Sequence, residues 1–139
     1  MKNLFLSLCF LAIGLSGFAQ TNDSIYSRVE VMPEFPGGID ALSKFIGDNL
    51  KYPDKSREAG IEGTVYTRFV VDEQGRVIQI QILRGVNEEL DNETHRVIKM
   101  MPQWTPGMQD GKQVSVYFVL PVKFTLKKDD PVDETPEQK

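Results

Sequence analysis

The sequence contains few side chains suited to acid–base or thiol chemistry. Its 139 residues include one histidine, His95, and one cysteine, Cys9. A catalytic base needs a positioned partner, and no nucleophile lies near His95 in the sequence, so we predict a surface or half-buried structural residue. One histidine and one cysteine cannot supply the ligands of a structural zinc site.

The acidic run from Glu88 to Glu93 is a further candidate for chemistry. It lacks the alternating ligand spacing and central glycine of a calcium-binding loop, whereas acids at the start of a helix stabilise its dipole. Gly37 and Gly38 do not follow a strand and do not form a phosphate-binding pattern. We therefore predict no catalytic residue, no metal, no cofactor and no enzymatic activity.

Composition narrows the class of protein further. Apolar residues make up 40% of the chain and charged residues 26%, which is typical of a single globular domain. The net charge is -4, and no basic block is present that would neutralise phosphates. Nucleic acid is therefore excluded as an expected partner.

The N-terminus has the pattern of a secretory signal peptide. Lys2 precedes an apolar run that ends in the small-x-small sequence Gly17, Phe18, Ala19. We predict that residues 1–19 are cleaved before Gln20 and that no membrane span remains. The alternative is an uncleaved inner-membrane anchor formed by residues 3–19, close to the lower limit of about 20 residues for a span.

Hydrophobic periodicity predicts the elements of the domain. Helical spacing indicates helices at 39–50 and 88–101. A short helical turn is expected at 54–60, between the first helix and the first strand. Alternation indicates a hairpin over 64–82, in which Ile78, Ile80 and Ile82 share one face and Gly75 takes a positive φ. The last strand, 114–126, is apolar at every even position, and Pro121 places it at a sheet edge or a bulge.

These elements predict an α+β fold. It is a two-layer sandwich of a three-stranded sheet and two helices, in the order α-β-β-α-β. Tyr66, Arg68 and Val70, with Tyr117 and Val119, fall on the face away from the helices and form a partly apolar open face. The alternative is that residues 20–35 or a second copy cover it. Trp104 is interpreted as a core residue, with a ligand platform as the alternative.

Several motifs, taken in their order along the sequence, resemble a known family. The stretch 63–72 (GTVYTRFVVD), Gly75 with Arg76 and Val77, Leu90 with Asp91, 104–107 (WTPG), Gly111 with Lys112, and the strand 114–126 are similar to the C-terminal domain of TonB, the energy transducer of Gram-negative bacteria. The resemblance covers 34–126. It implies an antiparallel sheet, a periplasmic location and a role in TonB-dependent transport.

The resemblance also implies a mode of binding. The domain would recognise an extended peptide, the N-terminal segment of an outer-membrane transporter or of another envelope protein, by adding it as a strand beside its own last strand. Carried onto this chain, the pairing residues are Val114, Ser115, Val116, Tyr117, Phe118, Val119, Leu120, Val122, Lys123 and Phe124. The alternative is a structural or self-dimerising subunit of an envelope assembly that uses the same strand.

The expected organisation is a signal peptide at 1–19, a leader at 20–33, the domain at 34–126 and a disordered charged tail at 127–139. A complete transducer also has a membrane helix and a long proline-rich spacer. After the predicted cleavage we expect neither part in this chain. We therefore predict a stand-alone domain of this family that does not transmit force by itself.

Overall fold

The computed structural model describes residues 24–126. The predicted signal peptide, the first residues of the leader and the predicted tail at 127–139 lie outside the described residues. Within the described range, none of the helices has the length and apolar character needed to cross a membrane.

Three helices and five strands follow one another between residues 24 and 126. They are α1 (Gly38–Asn49), α2 (Asp54–Glu58), β1 (Gly63–Val71), β2 (Val77–Arg84), α3 (Glu88–Lys99), β3 (Gly107–Gln109), β4 (Lys112–Val114) and β5 (Val116–Phe124). In the main sheet β1 is central, with β2 and β5 antiparallel to it on either side. The predicted α+β fold with a three-stranded antiparallel sheet is confirmed; α2 and the β3–β4 hairpin are additions to the predicted order.

The core lies between one face of this sheet and the helices. Alternate residues of β1 are buried there because successive side chains of a strand point to opposite faces. The buried core residues of the two strands are Val65, Thr67, Phe69 and Val71 in β1 and Val116, Leu120, Val122 and Phe124 in β5. Leu42 of α1 and Leu90 and Ile98 of α3 cover them, as the helical spacing predicted.

The turn between β1 and β2 depends on Gly75. Its φ is +82°, and a Cβ at this position would lie 1.8 Å from the backbone oxygen of Trp104. The carbonyl of Gly75 also accepts a hydrogen bond of 2.8 Å from the amide of Trp104. The predicted positive φ is confirmed, and close packing against the Trp104 backbone excludes a side chain as well.

Helix α3 begins at a side-chain cap. The side chain of Asn87 accepts a hydrogen bond of 2.8 Å from the amide of Leu90. Glu88, Glu89 and Asp91 lie in the first turn, where negative charge stabilises the helix dipole. The acidic run is therefore accounted for by the start of this helix.

The prediction of one uninterrupted strand from 114 to 126 is wrong at its start. Val114 belongs to β4 and pairs with Gly107 in the small hairpin, and Ser115 separates β4 from β5. Asp110 and Gly111 both have positive φ in the hairpin turn, 50° and 72°. Val114 at the end of β4 and Val116 at the start of β5 are both apolar and both even-numbered, so the apolar period continues across Ser115. Periodicity alone therefore does not mark the passage from the two-stranded sheet to the main sheet.

The predicted shared face of Ile78, Ile80 and Ile82 is also wrong for Ile78. Ile78 pairs with Val70, whereas Ile82 pairs with Thr67, which faces the core. Between them Gln79 takes a positive φ of 51°, and the β1–β2 register shifts. The extra residue in β2 is a β-bulge, so Ile78 lies on the outer face of the sheet and Ile80 and Ile82 pack against the core.

The leader pairs first with β5, then with the β3–β4 hairpin and last with the segment before that hairpin. Glu34 and Thr105 exchange two backbone hydrogen bonds, and so do Val31 and Met108. Tyr26 forms a parallel bridge with Val116. Residues 26–34 are thus joined to the domain by backbone pairing at three places.

Candidate functional site

The exposed edge of β5 is the candidate binding site. Because β1 occupies one side of β5, its other side faces away from the main sheet. The amide of Tyr117 donates outward, to Tyr26. Since the backbone groups of successive residues point to opposite sides of a strand, those of Val119, Pro121 and Lys123 also point outward.

Pro121 is one of the outward-facing residues. It carries no backbone N–H, so its place on the edge leaves no ladder hydrogen bond of the main sheet unmade. Its carbonyl remains an acceptor on the open side. The structure therefore places this proline at an edge, as the sequence predicted, and explains why an otherwise apolar strand tolerates it.

The leader already occupies the first part of this edge. The amide of Tyr26 donates to the carbonyl of Ser115 over 2.9 Å, and the carbonyl of Tyr26 accepts from the amide of Tyr117 over 2.8 Å. Residue Tyr26 itself is 36% exposed. Among the described residues, no backbone bridge covers the stretch of β5 beyond Tyr117 on this side.

The predicted pairing residues accordingly divide into three groups. Val114 lies outside β5, and Tyr26 takes two of the outward groups, the carbonyl of Ser115 and the amide of Tyr117. The backbones of Val116, Phe118, Leu120, Val122 and Phe124 face β1. Val119 and Lys123 remain available, together with the carbonyl of Pro121.

Sequence reasoning missed Tyr26 and did not assign Pro121 to the site. The leader has only a weak alternation, at Val29 and Val31, and its bridge to Val116 joins residues distant in sequence. Pro121 could have been assigned, since an edge position for a proline puts its carbonyl on the open side.

The outer face of the main sheet adjoins this edge. Tyr66 is 41% exposed and Val119 is 53% exposed, and Arg68 is half-buried between them. The guanidinium of Arg68 lies 4.5 Å from the ring centre of Tyr117, a cation–π contact, and donates to Gln81. The predicted open face therefore exists around Tyr66 and Arg68.

Val70 does not belong to that open face. It is fully buried, although its side chain points away from the helices. Val70 is in the central strand, between Ile78 on one side and Tyr117 on the other. Its full burial removes the access that the alternation of β1 had predicted.

Trp104 is in the core and not at the site. It is 3% exposed and packs in edge-to-face geometry on Phe35, Phe69 and Phe118, with ring centres 4.9–5.6 Å apart. Its indole Nε1 has no hydrogen-bond partner among the described residues. The interpretation of Trp104 as a core residue is confirmed.

A separate polar cluster joins the end of α1 to α3. The carboxylate of Glu93 accepts from the amide of Lys51 over 2.8 Å and from the guanidinium of Arg96 over 2.6 Å. Arg96 also donates to the carbonyl of Asn49 over 2.8 Å. Burial raises the pKa of Glu93, but the hydrogen bonds from Arg96 and Lys51 outweigh it and hold this pKa below 4.5. These charges satisfy one another, so the cluster is a structural brace.

His95 and the acidic side chains of the described range are the remaining candidates for chemistry. His95 is exposed on α3. Across residues 24–126, no three side chains of His, Cys, Asp or Glu lie close enough to hold a metal ion.

Comparison with known proteins agrees with the sequence resemblance. Protein TonB of Vibrio cholerae is 36% identical over 80 residues, which cover 55% of this chain and 32% of that protein. The chain thus spans about a third of the length of this relative.

Two solved structures are also similar. A Helicobacter pylori TonB C-terminal domain is 22% identical with a TM-score of 0.48, covering 63% of this chain and 79% of that one. A Pseudomonas aeruginosa TonB C-terminal domain is 26% identical with a TM-score of 0.42, covering 56% and 81%. The family described as Gram-negative bacterial TonB protein C-terminal matches residues 48–126. Since this match covers more than half of the sequence, the chain belongs to the TonB C-terminal family.

Proposed function

We propose that this chain is a non-catalytic binding module of the bacterial periplasm, exported by cleavage after Ala19. It captures an extended segment of an envelope protein by adding that segment as a strand to β5. The partner we propose is the N-terminal segment of a TonB-dependent outer-membrane transporter. The observation that carries the proposal is the open stretch of edge from Val119 to Lys123.

Strand addition follows from the backbone chemistry of this edge. Val119 and Lys123 each present an N–H and a C=O, and Pro121 presents a C=O. An extended peptide satisfies these groups with its own backbone, which gives affinity without any catalytic side chain. The bridge to Tyr26 supports this reading, because the leader already pairs with β5 through two backbone hydrogen bonds.

The structure also limits how a partner strand pairs. Tyr26 occupies the carbonyl of Ser115 and the amide of Tyr117, so an added strand starts at the carbonyl of Tyr117 or beyond it, or displaces the leader. Pro121 offers no donor, so one carbonyl of the partner finds no backbone partner on β5. We therefore expect a short added strand.

The proposal is tested with the full chain after export and synthetic peptides that match the N-terminal segments of transporters from the same bacterium. Binding is followed by amide NMR. Each peptide is also made with single backbone N-methyl groups, moved one residue at a time. Strand addition predicts loss of binding at every second position, because only alternate peptide amides face β5.

Two results would contradict strand addition. The first is a peptide that binds but whose N-methylated forms lose binding without a two-residue period. Such a result would indicate docking through side chains, which does not depend on alternate backbone amides. The other is the absence of NMR shifts at Val119 and Lys123 with every peptide. Light scattering serves as the control for self-pairing: a mass that doubles with concentration and falls on adding peptide would assign the edge to a second copy.

A further inference from the structure

The outer face of the main sheet has an ordered arrangement of side chains. Register places Tyr66 between Arg84 on β2 and Pro121 on β5. The next row has Arg68 between Gln81 and Val119, and Lys123 lies beside Thr64 at the end of the sheet. We call the six residues Tyr66, Arg68, Arg84, Val119, Pro121 and Lys123 the outer patch.

The outer patch is positively charged on a chain of net charge -4. Its three ionisable groups at neutral pH are Arg68, Arg84 and Lys123, and the strands β1, β2 and β5 contain no acidic residue. The ion pairs found within residues 24–126 all lie elsewhere, on the helices and at Asp72 with Arg76. Within residues 24–126, none of these three cations forms an ion pair with a carboxylate.

Exposed apolar surface lies among these charges. Tyr66 and Val119 are 41% and 53% exposed, and Pro121 is exposed between Tyr66 and the edge. A cleft of about 350 Å³ adjoins Tyr66 and Arg84 and is also lined by Thr64 and Val86. A hydroxyl, a phenol and a guanidinium at one cleft suit a carboxylate better than a neutral group.

We propose that the outer patch is a second interaction surface, which binds an acidic extended segment of a partner polypeptide. Carboxylates of that segment pair with Arg68, Arg84 and Lys123, and an apolar side chain packs on Tyr66 and Val119. Same-face side chains are about 6.8 Å apart along a strand and equally far apart in an extended peptide, so such a peptide lying along the strands matches the spacing of the patch. This surface goes beyond strand addition, because it uses side chains and not the backbone of β5.

Charge also distinguishes this occupant from two others. A second copy docked by the same face would set three cations against three cations, which is unfavourable. A lipid surface is recognised by clusters of about 4–8 basic residues, more than the outer patch contains. An acidic polypeptide satisfies both the charge and the small extent of the patch.

The test uses the chain from Gln20 to Lys139 and the acetylated, amidated peptide Glu-Ser-Val-Pro-Glu-Ser-Glu, in which the Glu and Val side chains share one face when the peptide is extended. The central proline interrupts backbone pairing, so binding does not require strand addition. A twin peptide with Gln at each Glu is the control. We expect NMR shifts at Tyr66, Arg68 and Val119 with the acidic peptide only, and an affinity that falls as salt rises from about 0.1 M to about 1 M.

Variants then assign the binding to the outer patch. The triple variant Arg68→Gln, Arg84→Gln, Lys123→Gln is expected to lose at least about tenfold in affinity. The matched control, Lys51→Gln, Lys99→Gln, Lys112→Gln, makes the same change in net charge at exposed positions off this face and is expected to bind like the parent. The variant Arg68→Lys, Arg84→Lys keeps the charge and is expected to retain most of the affinity. Thermal unfolding checks that each variant is folded.

Each of four results would overturn the proposal. Equal affinity of the Gln twin or of the triple variant would show that the charges do not act. Binding to vesicles of phosphatidylglycerol and phosphatidylcholine in equal parts, without binding of the peptide, would assign the patch to lipid. Self-association abolished by Val119→Glu would assign it to a second copy. A last result is peptide binding that is seen only in a variant whose C-terminal acidic residues are changed to their amides. It would assign the outer patch to this segment of the same chain. The changed residues are Asp129, Asp130, Asp133, Glu134 and Glu137.

Discussion

Tyr26 and Val116 lie side by side in a parallel β-bridge, so a residue of the leader continues the main sheet beyond β5. This bridge lies at the beginning of β5, next to the small hairpin. It shortens the open edge from that end and leaves the other end, near Lys123, accessible. The same strand thus has one part that is paired within the chain and one part that is open.

The bridge makes a prediction for amide exchange. In the full chain the amide of Tyr117 should exchange slowly, because it donates to Tyr26, whereas the amides of Val119 and Lys123 should exchange fast. Tyr26→Pro removes the amide that donates to Ser115 and should accelerate exchange at Tyr117 at least about tenfold. Tyr26→Ala keeps both backbone groups and is the control. Fast exchange at Tyr117 in the unchanged chain would contradict the bridge.

Gly75 should be far more sensitive to substitution than a glycine in a similar conformation. Gly75→Ala places a Cβ against the backbone oxygen of Trp104 and should lower the free energy of unfolding by at least about 3 kcal/mol. Gly111 has a φ of +72° but no atom within 4 Å of its Cβ position, so Gly111→Ala should cost only about 1–2 kcal/mol. Urea unfolding measures both, and similar losses for the two variants would contradict the steric argument.

Trp104 combines a large buried ring with an indole N–H that lacks a partner among the described residues. Trp104→Ala should lower the free energy of unfolding by about 3–5 kcal/mol, because it leaves a cavity between Phe35, Phe69 and Phe118. Trp104→Phe should cost much less, because loss of the unpaired N–H recovers about 1–3 kcal/mol. Urea unfolding compares the two variants. A loss of about 3 kcal/mol or more for Trp104→Phe, more than its small cavity explains, would show that the N–H is satisfied in solution.

Glu93 gives the stability a dependence on acid. Because its folded-state pKa is lowered below 4.5, its contribution is present above about pH 4.5 and is lost as the pH falls through the folded-state pKa. Glu93→Gln should lower the free energy of unfolding by about 1 kcal/mol at pH 7 and by less at pH 3. The control is Asp48→Asn, which removes a carboxylate from an exposed ion pair with Lys44. A constant difference between Glu93→Gln and the parent from pH 7 to pH 3 would contradict the role of the carboxylate.

Much of the fold could be predicted because each main element has a clear period. Apolar residues at helical spacing identified α1 and α3, and Pro121 identified β5 as an edge strand. Thr67 and Phe69 alternate with Tyr66 and Arg68 on the outer face of β1, which fixes the buried face of the sheet. Local spacing was sufficient wherever one element keeps one geometry along its length.

The errors occurred where geometry changes inside a continuous pattern. At Gln79 a bulge moves Ile78 to the other face, although the isoleucines continue to alternate in the sequence. At Ser115 the chain passes from one sheet to another without a break in the apolar period. The bulge and the change of sheet both leave the spacing of apolar residues in the sequence unbroken. Hydrophobic spacing therefore does not reveal either of them.

The candidate site was predictable only in outline. Its strand follows from the sequence, but the division between paired and open residues depends on Tyr26. A leader residue reaches Ser115 and Tyr117 through backbone atoms, which are the same for most residue types. Long-range backbone pairing of this kind leaves no pattern in a single sequence.

The irregularities of the two edge strands also bear on aggregation. An exposed, regular strand edge is a template on which further copies can stack into fibrils. Here the edge of β2 is interrupted by the bulge at Gln79, and the edge of β5 by Pro121 and by the leader. Neither side offers the unbroken row of donors and acceptors that a growing fibril needs. These interruptions should disfavour fibril growth from either edge of the main sheet.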